Sequence, residues 1–137
     1  MVLTQLLISV VDDDRSVRRA LQRLLRTGGY ATEVFASAQE FLSSPALRDT
    51  ACLILDIQLG ATTGFELQTQ LAAGGSAIPI VFISAYDDAA TGERIAASGA
   101  AAYLRKPFEE KDLLDAIRRA VDTRDGLDHA PTRRETP

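Results

Sequence analysis

The chain holds one cysteine, Cys52, and one histidine, His129, among its 137 residues. A single cysteine excludes an intrachain disulfide and any cysteine-based zinc site. His129 sits in a polar tail with no apolar helical face around it and reads as solvated. A basic surplus is also lacking. Fifteen Lys and Arg against nineteen Asp and Glu leave a net charge of −4, so direct nucleic-acid binding by this domain is not expected. No apolar run approaches the roughly 20 residues of a membrane span. Met1-Val2-Leu3-Thr4-Gln5 has no Lys or Arg ahead of its apolar stretch, so no secretory signal is expected. What remains is a composition of 46% apolar and 25% charged residues, ordinary for a globular protein. The length suits one domain with its own core, and the expected location is the cytoplasm.

Short apolar runs alternate with helix-period segments. Leu6-Leu7-Ile8-Ser9-Val10-Val11 is nearly continuous and rich in β-branched residues, as in a strand covered on both faces. From Arg15 to Thr27, Val17, Leu21, Leu24 and Leu25 form one helical stripe. Arg18, Arg19, Gln22, Arg23 and Arg26 fall on the wet side, and Gly28-Gly29 stops the helix. Tyr30–Phe35 is a strand candidate, followed by a helix from Ser37 to Leu42 with Glu40 completing a capping box. Cys52-Leu53-Ile54-Leu55 predicts a strand ending at Asp56, and Phe65–Ala73 a helix. Ile78–Ile83 predicts a strand ending at Ser84. Asp87–Ser98 is a helix poor in bulky apolar residues. Ala101–Leu104 is a short strand, and Glu109–Val121 a helix. This order predicts an α/β fold, a parallel sheet sandwiched between helix layers. Residues 1–121 form the domain, and residues 122–137 a polar flexible tail or the start of a linker.

In an open parallel sheet, ligands bind beyond the carboxyl ends of the strands. Those ends carry Asp12-Asp13-Asp14, Asp56, Ser84 and Arg105-Lys106-Pro107. Carboxylates from two strands meeting at one edge call for a cation. Oxygen ligands without His or Cys favour a hard ion, Mg²⁺ above all. A carboxylate beside that ion can also act as nucleophile toward a phosphoryl group, whose transition state spreads negative charge over its equatorial oxygens. Asp12 and Asp13 can hold the ion, Asp56 can attack, and Lys106 and Ser84 can grip the phosphoryl oxygens.

Plainer readings exist for each group. Asp14 suits the cap of the following helix, and Asp13 could do the same. Asp56 has no helix to cap until near Thr62 or Thr63. A serine after a strand is commonplace, and a lone lysine reads as a solvated surface residue. Tyr86 and Tyr103 read by default as half-buried ring anchors, and Cys52 as core.

Taken in order, the motifs resemble the receiver domain of two-component response regulators, most closely the FixJ-like branch. The resemblance runs from about Leu6 to Val121. It rests on Val10-Val11-Asp12-Asp13-Asp14, Leu53-Ile54-Leu55-Asp56, Gly64, Ile83-Ser84-Ala85 and Lys106-Pro107-Phe108, with Gly99-Ala100 and Tyr103 agreeing. It implies a (βα)5 doubly wound, flavodoxin-like sandwich with strand order 2-1-3-4-5. Asp56 would accept a phosphoryl group from the phosphohistidine of a sensor histidine kinase or phosphotransfer protein. Asp12, Asp13, Asp56 and the backbone carbonyl of Gln58 would bind Mg²⁺. Lys106 would pair with phosphoryl oxygens, its bond to Pro107 being cis. Ser84 and Tyr103 would form a switch pair, and Gln58 and Tyr86 would flank the route of a hydrolytic water. The helix Asp87–Ser98, the fifth strand and the last helix would form the signalling face, for a homodimer or partner. The chain would be a regulatory phosphoacceptor, catalysing only its own phosphorylation and dephosphorylation. One departure stands out: Leu59 and Gly60 replace the Met and Pro usual three and four positions after the acceptor, leaving Gln58–Thr63 without its usual stiffener.

Three other readings compete. The Asp12–Asp14 run also satisfies the D-x-D of dehalogenase-type phosphatases, with Ser84, Lys106 and Asp87-Asp88 as later motifs. That family, however, places its acidic pair after the lysine. A flavodoxin-like mononucleotide binder shares the topology, but carboxylates at the first strand end would repel its phosphate. The third is a receiver-like interaction module that is never phosphorylated.

Overall fold

Residues 5–85 and 88–133 are described by the computed structural model, with residues 123–133 described by backbone alone. The elements in chain order are β1 (Leu7–Val11), α1 (Arg15–Thr27), β2 (Ala31–Phe35), α2 (Ala38–Leu42), α3 (Ala46–Asp49) and β3 (Thr50–Asp56). The chain continues with β4 (Gln58–Leu59), β5 (Thr62–Thr63), α4 (Gly64–Ala73), β6 (Ile80–Ser84), α5 (Ala89–Ser98), β7 (Ala102–Arg105) and α6 (Glu110–Arg133).

The large sheet has the order β2-β1-β3-β6-β7, with every neighbouring pair parallel. Counting only its own strands, this is the expected order 2-1-3-4-5. Successive side chains of its three central strands go to opposite layers. Val11, Leu53, Leu55, Ile80 and Phe82 pack with Phe41, Phe65, Leu67, Leu71 and Ile95 on one face. Ile8, Val10, Cys52, Ile54, Val81 and Ile83 pack with Leu21, Leu25, Leu113 and Ile117 on the other. Burial on both faces is why these strands read as continuous apolar runs rather than alternating ones.

Local sequence sets the helix starts. Asp14 has extended backbone, and its carboxylate accepts from the amides of Ser16 and Val17, as a cap should. Asp88 caps α5 through the amide of Thr91. The box expected at α2 forms only in part. Ser37 accepts from the Glu40 amide, but the Glu40 carboxylate accepts from Ala36. The complete reciprocal box is Thr63–Glu66, which starts α4.

Three features differ from the sequence expectation. α3 and the β4–β5 hairpin are too short to show a periodicity. α6 does not stop at Val121, as the helical stretch in the sequence suggested: its backbone is helical through Arg133. Gly126 costs only about 1 kcal/mol relative to Ala, and no proline lies between Glu110 and Pro131. Residues 134–137 and Asp87 lie outside the described residues.

Candidate functional site

Because β1, β3, β6 and β7 run in one direction, their carboxyl ends share one edge of the sheet. Asp12 and Asp13 follow β1, Asp56 ends β3, Ser84 ends β6, and Lys106 follows β7. Asp12, Asp13 and Asp56 bring carboxylate oxygens within 4.8 Å of one another. Asp12 is fully buried and Asp56 nearly so, while Asp13 is exposed at the mouth. Lys106 Nζ spans the pair from the far side, 3.0 Å from Asp12 Oδ2 and 3.2 Å from Asp56 Oδ2.

Backbone contacts fix each group. The Asp14 amide donates to Asp12 Oδ1 at 2.8 Å. The Gln58 amide donates to Asp56 Oδ1 at 3.1 Å. The Lys106 amide donates to the Ser84 carbonyl at 2.7 Å, and the Lys106–Pro107 bond is cis. Gly64 has no room for a side chain: a Cβ there would lie 2.6 Å from the Asp56 carbonyl oxygen and 3.2 Å from Ile57 Cα. This close approach seats the start of α4 directly against the acidic end of β3.

The loop after Asp56 does have a stiffener, though not the proline usual in the resembling family. Gln58–Leu59 pairs antiparallel with Thr62–Thr63 across a two-residue turn, with Gly60 at φ +77°. A positive φ at the first turn position suits glycine and gives a twist that matches the ladder.

The site's charges are unbalanced, with three carboxylates against one ammonium. Burial, then the neighbouring Asp12 charge, pushes the Asp56 carboxyl up to about 6. Lys106 and the Gln58 amide oppose that shift. Burial pulls Lys106 down, but its bond to Asp12 and the charges of Asp56 and Asp12 outweigh it, leaving the ammonium held above its ordinary value. An all-oxygen donor set with excess negative charge fits a hard divalent cation and not a soft one.

The structure thus brings together Asp12, Asp13, Asp56 and Lys106, with Ser84 on the adjoining strand end. Tyr103 is half-buried on β7, packed against the core face that includes Ile95 of α5. Tyr86 lies outside the described residues. One participant is missed by sequence reasoning: Arg18, assigned to the wet side of α1, donates from Nη1 to the Asp12 carbonyl at 2.8 Å. The signal was its place, one helical turn after the cap Asp14. No helix among the described residues is long and apolar enough to cross a membrane.

Comparison with known proteins agrees with this geometry. A family model described as "Response regulator receiver domain" matches residues 8–118. Nodulation protein W of Bradyrhizobium diazoefficiens is 40% identical over 119 residues, covering 87% of this chain and 52% of that protein. The response regulator protein TmoT of Ectopseudomonas mendocina is 40% identical over 114 residues, covering 83% of this chain and 52% of that protein. The chain therefore spans about half the length of these curated relatives. Among solved structures, the response regulator StyR superposes with a TM-score of 0.83 at 39% identity, covering 96% of this chain and 67% of that one. The structure titled FixJ-N gives 0.79 at 29% identity, covering 88% and 96%. The dehalogenase-type and mononucleotide-binding readings find no support in this set. With a doubly wound sheet, an acidic strand-end cluster and a family match over most of its length, the chain belongs to the response regulator receiver domains.

Proposed function

We propose that Asp56 is the phosphoacceptor of a two-component phosphorelay. The observation that carries this is the convergence of Asp12, Asp13 and Asp56 within 4.8 Å, with Lys106 bridging two of them. An Asp56 carboxylate oxygen attacks phosphorus, and the bond from phosphorus to the imidazole nitrogen of a histidine kinase or phosphotransfer protein breaks. An acyl phosphate results. Asp56 Oδ1 is held by the Gln58 amide, which orients the nucleophile. Lys106 exchanges its contact with Asp56 Oδ2 for one with a phosphoryl oxygen, and the Ser84 hydroxyl donates to another. Asp12, Asp13, Asp56 and the Gln58 carbonyl would hold Mg²⁺, which when bound neutralises charge on the group being transferred.

The new dianionic group then biases a marginal element. α5 buries only Ile95, so little packing holds it in one position. Ser84 and Tyr103 couple the phosphoryl group to the α5–β7–α6 face, which serves a homodimer or partner protein. Gln58 and Tyr86 flank the water that later removes the phosphate. In this reading residues 1–121 are the receiver, residues 122–137 begin a linker, and the protein acts in the cytoplasm as a regulator without contacting nucleic acid through this domain. Incubation with acetyl phosphate and Mg²⁺ tests it by intact-mass spectrometry. Gain of one phosphoryl group by the wild type and none by Asp56→Asn is expected. An unmodified wild type, or a labelled Asn variant, refutes it.

A further inference from the structure

We propose that Arg18 is a positioning residue for the acidic pocket, holding the Asp12–Asp14 turn in the geometry that ligates a divalent cation. The role rests on the metal-site reading above. Arg18 is half-buried, whereas the other arginines of α1, at 15, 19, 23 and 26, are exposed. Its Nη1 donates to the Asp12 carbonyl at 2.8 Å, and its own amide donates to the Asp14 carbonyl at 3.0 Å. Three further bonds close the same turn from inside. Asp12 Oδ1 accepts from the Asp14 amide, and Asp14 Oδ1 accepts from Ser16 and Val17. The Arg18 side chain therefore holds the Asp12 end of the segment that supplies two of the three clustered carboxylates, while the helix's own first backbone bond closes the Asp14 end. Asp12 Oδ2, which faces Lys106, is left directed into the pocket.

Helix preference does not explain a cation here. Arg18 lies one turn from the positive end of the α1 dipole, and that first turn contains no acidic residue to offset it. The compensation comes from the Asp12 carbonyl. Residues that orient ligands from outside the coordination shell typically change metal affinity by about ten- to a hundredfold when removed.

The sign of the effect separates positioning from simple charge balance. If Arg18 acted only as a counter-charge, removing it would leave the pocket more negative and tighten Mg²⁺ binding. As a positioning residue, its loss must weaken binding. The test titrates Mg²⁺ alone, with no phosphodonor, into wild type, Arg18→Met and Arg18→Lys by calorimetry. Thermal unfolding is measured alongside in EDTA. Met keeps the apolar stem and loses every donor; Lys keeps the charge and one donor group. Arg18→Met should bind Mg²⁺ at least about tenfold more weakly, and Arg18→Lys within about threefold of wild type. Should Arg18→Met fail to fold, Arg18→Gln takes its place with the same expected weakening. Unchanged or tighter binding in the neutral variant, even with a lower unfolding temperature, overturns the role while leaving the metal site standing. A wild-type chain that takes up no Mg²⁺ overturns both.

Discussion

Replacing Asp56 by Asn should make the metal-free domain more stable. Burial and the Asp12 charge raise the Asp56 carboxyl from an ordinary 3.8 to about 6. A folded-state value above the unfolded one means that the native chain binds this proton more tightly. The stabilisation from protonation is fully present below about pH 4 and is lost as pH rises through the window from 4 to 6. Above it, the ionised carboxylate is a constant penalty. Two pKa units correspond to about 3 kcal/mol, an upper bound for relief by a neutral side chain. Asn keeps an acceptor for the Gln58 amide but gives up attraction to Lys106 at 3.2 Å. The net expectation is a gain of about 1–2 kcal/mol at pH 7, or roughly 3–8 °C in Tm for a domain of this size. Unfolding followed by far-UV circular dichroism in EDTA, from pH 4 to 8, should show the two proteins converging at the acid end. The wild type should lose more stability between pH 4 and 6. Added Mg²⁺ should narrow or reverse the gap at neutral pH, because it stabilises the wild type preferentially. An Asn variant less stable than wild type at pH 7 in EDTA, or one with the same pH slope, refutes the argument.

Lys106→Met removes the cation that bridges Asp12 and Asp56. The Asp56 carboxyl should then titrate about one unit higher or more by ¹³C NMR of the carboxyl carbon, and an unshifted titration would contradict the bridge. Gly64→Ala places a Cβ against two backbone atoms that cannot rotate away. A loss of about 1–3 kcal/mol in urea unfolding is expected, and a neutral result would mean that α4 is not seated as described. Gly60→Pro would restore the residue usual at this position in the family, yet here it should be harmful. Proline fixes φ near −65° where the hairpin turn needs +77°. The variant should unfold at a lower temperature and lose protection from hydrogen exchange at the Gln58–Thr63 ladder.

Much of this protein is legible in short windows of sequence. The strands β1, β3 and β6 are apparent because burial on both faces leaves each as an unbroken apolar run. α1 is apparent because Val17, Leu21, Leu24 and Leu25 repeat at the helical period. Asp12, Asp13, Asp56, Ser84 and Lys106 could be named because a parallel sheet brings the carboxyl ends of its strands to one edge. The ends of α5 and α6, the hairpin and α3 were less legible. Each depends on a cap, a turn or a few residues too short to carry a period.

The sequence by itself determined the alternation of strands and helices and the kinds of chemical group at each strand end. Only the tertiary structure decided how those groups meet. Lys106 reaches Asp12 across 94 positions and Asp56 across 50, and no local pattern sets that distance. Strand register and crossover packing bury Asp12 and Asp56 while leaving Asp13 open. The same packing turns Arg18 toward the Asp12 carbonyl and lifts the Asp56 carboxyl to about 6. Periodicity reports which face a residue is on, whereas desolvation and charge coupling depend on what the rest of the chain packs around it.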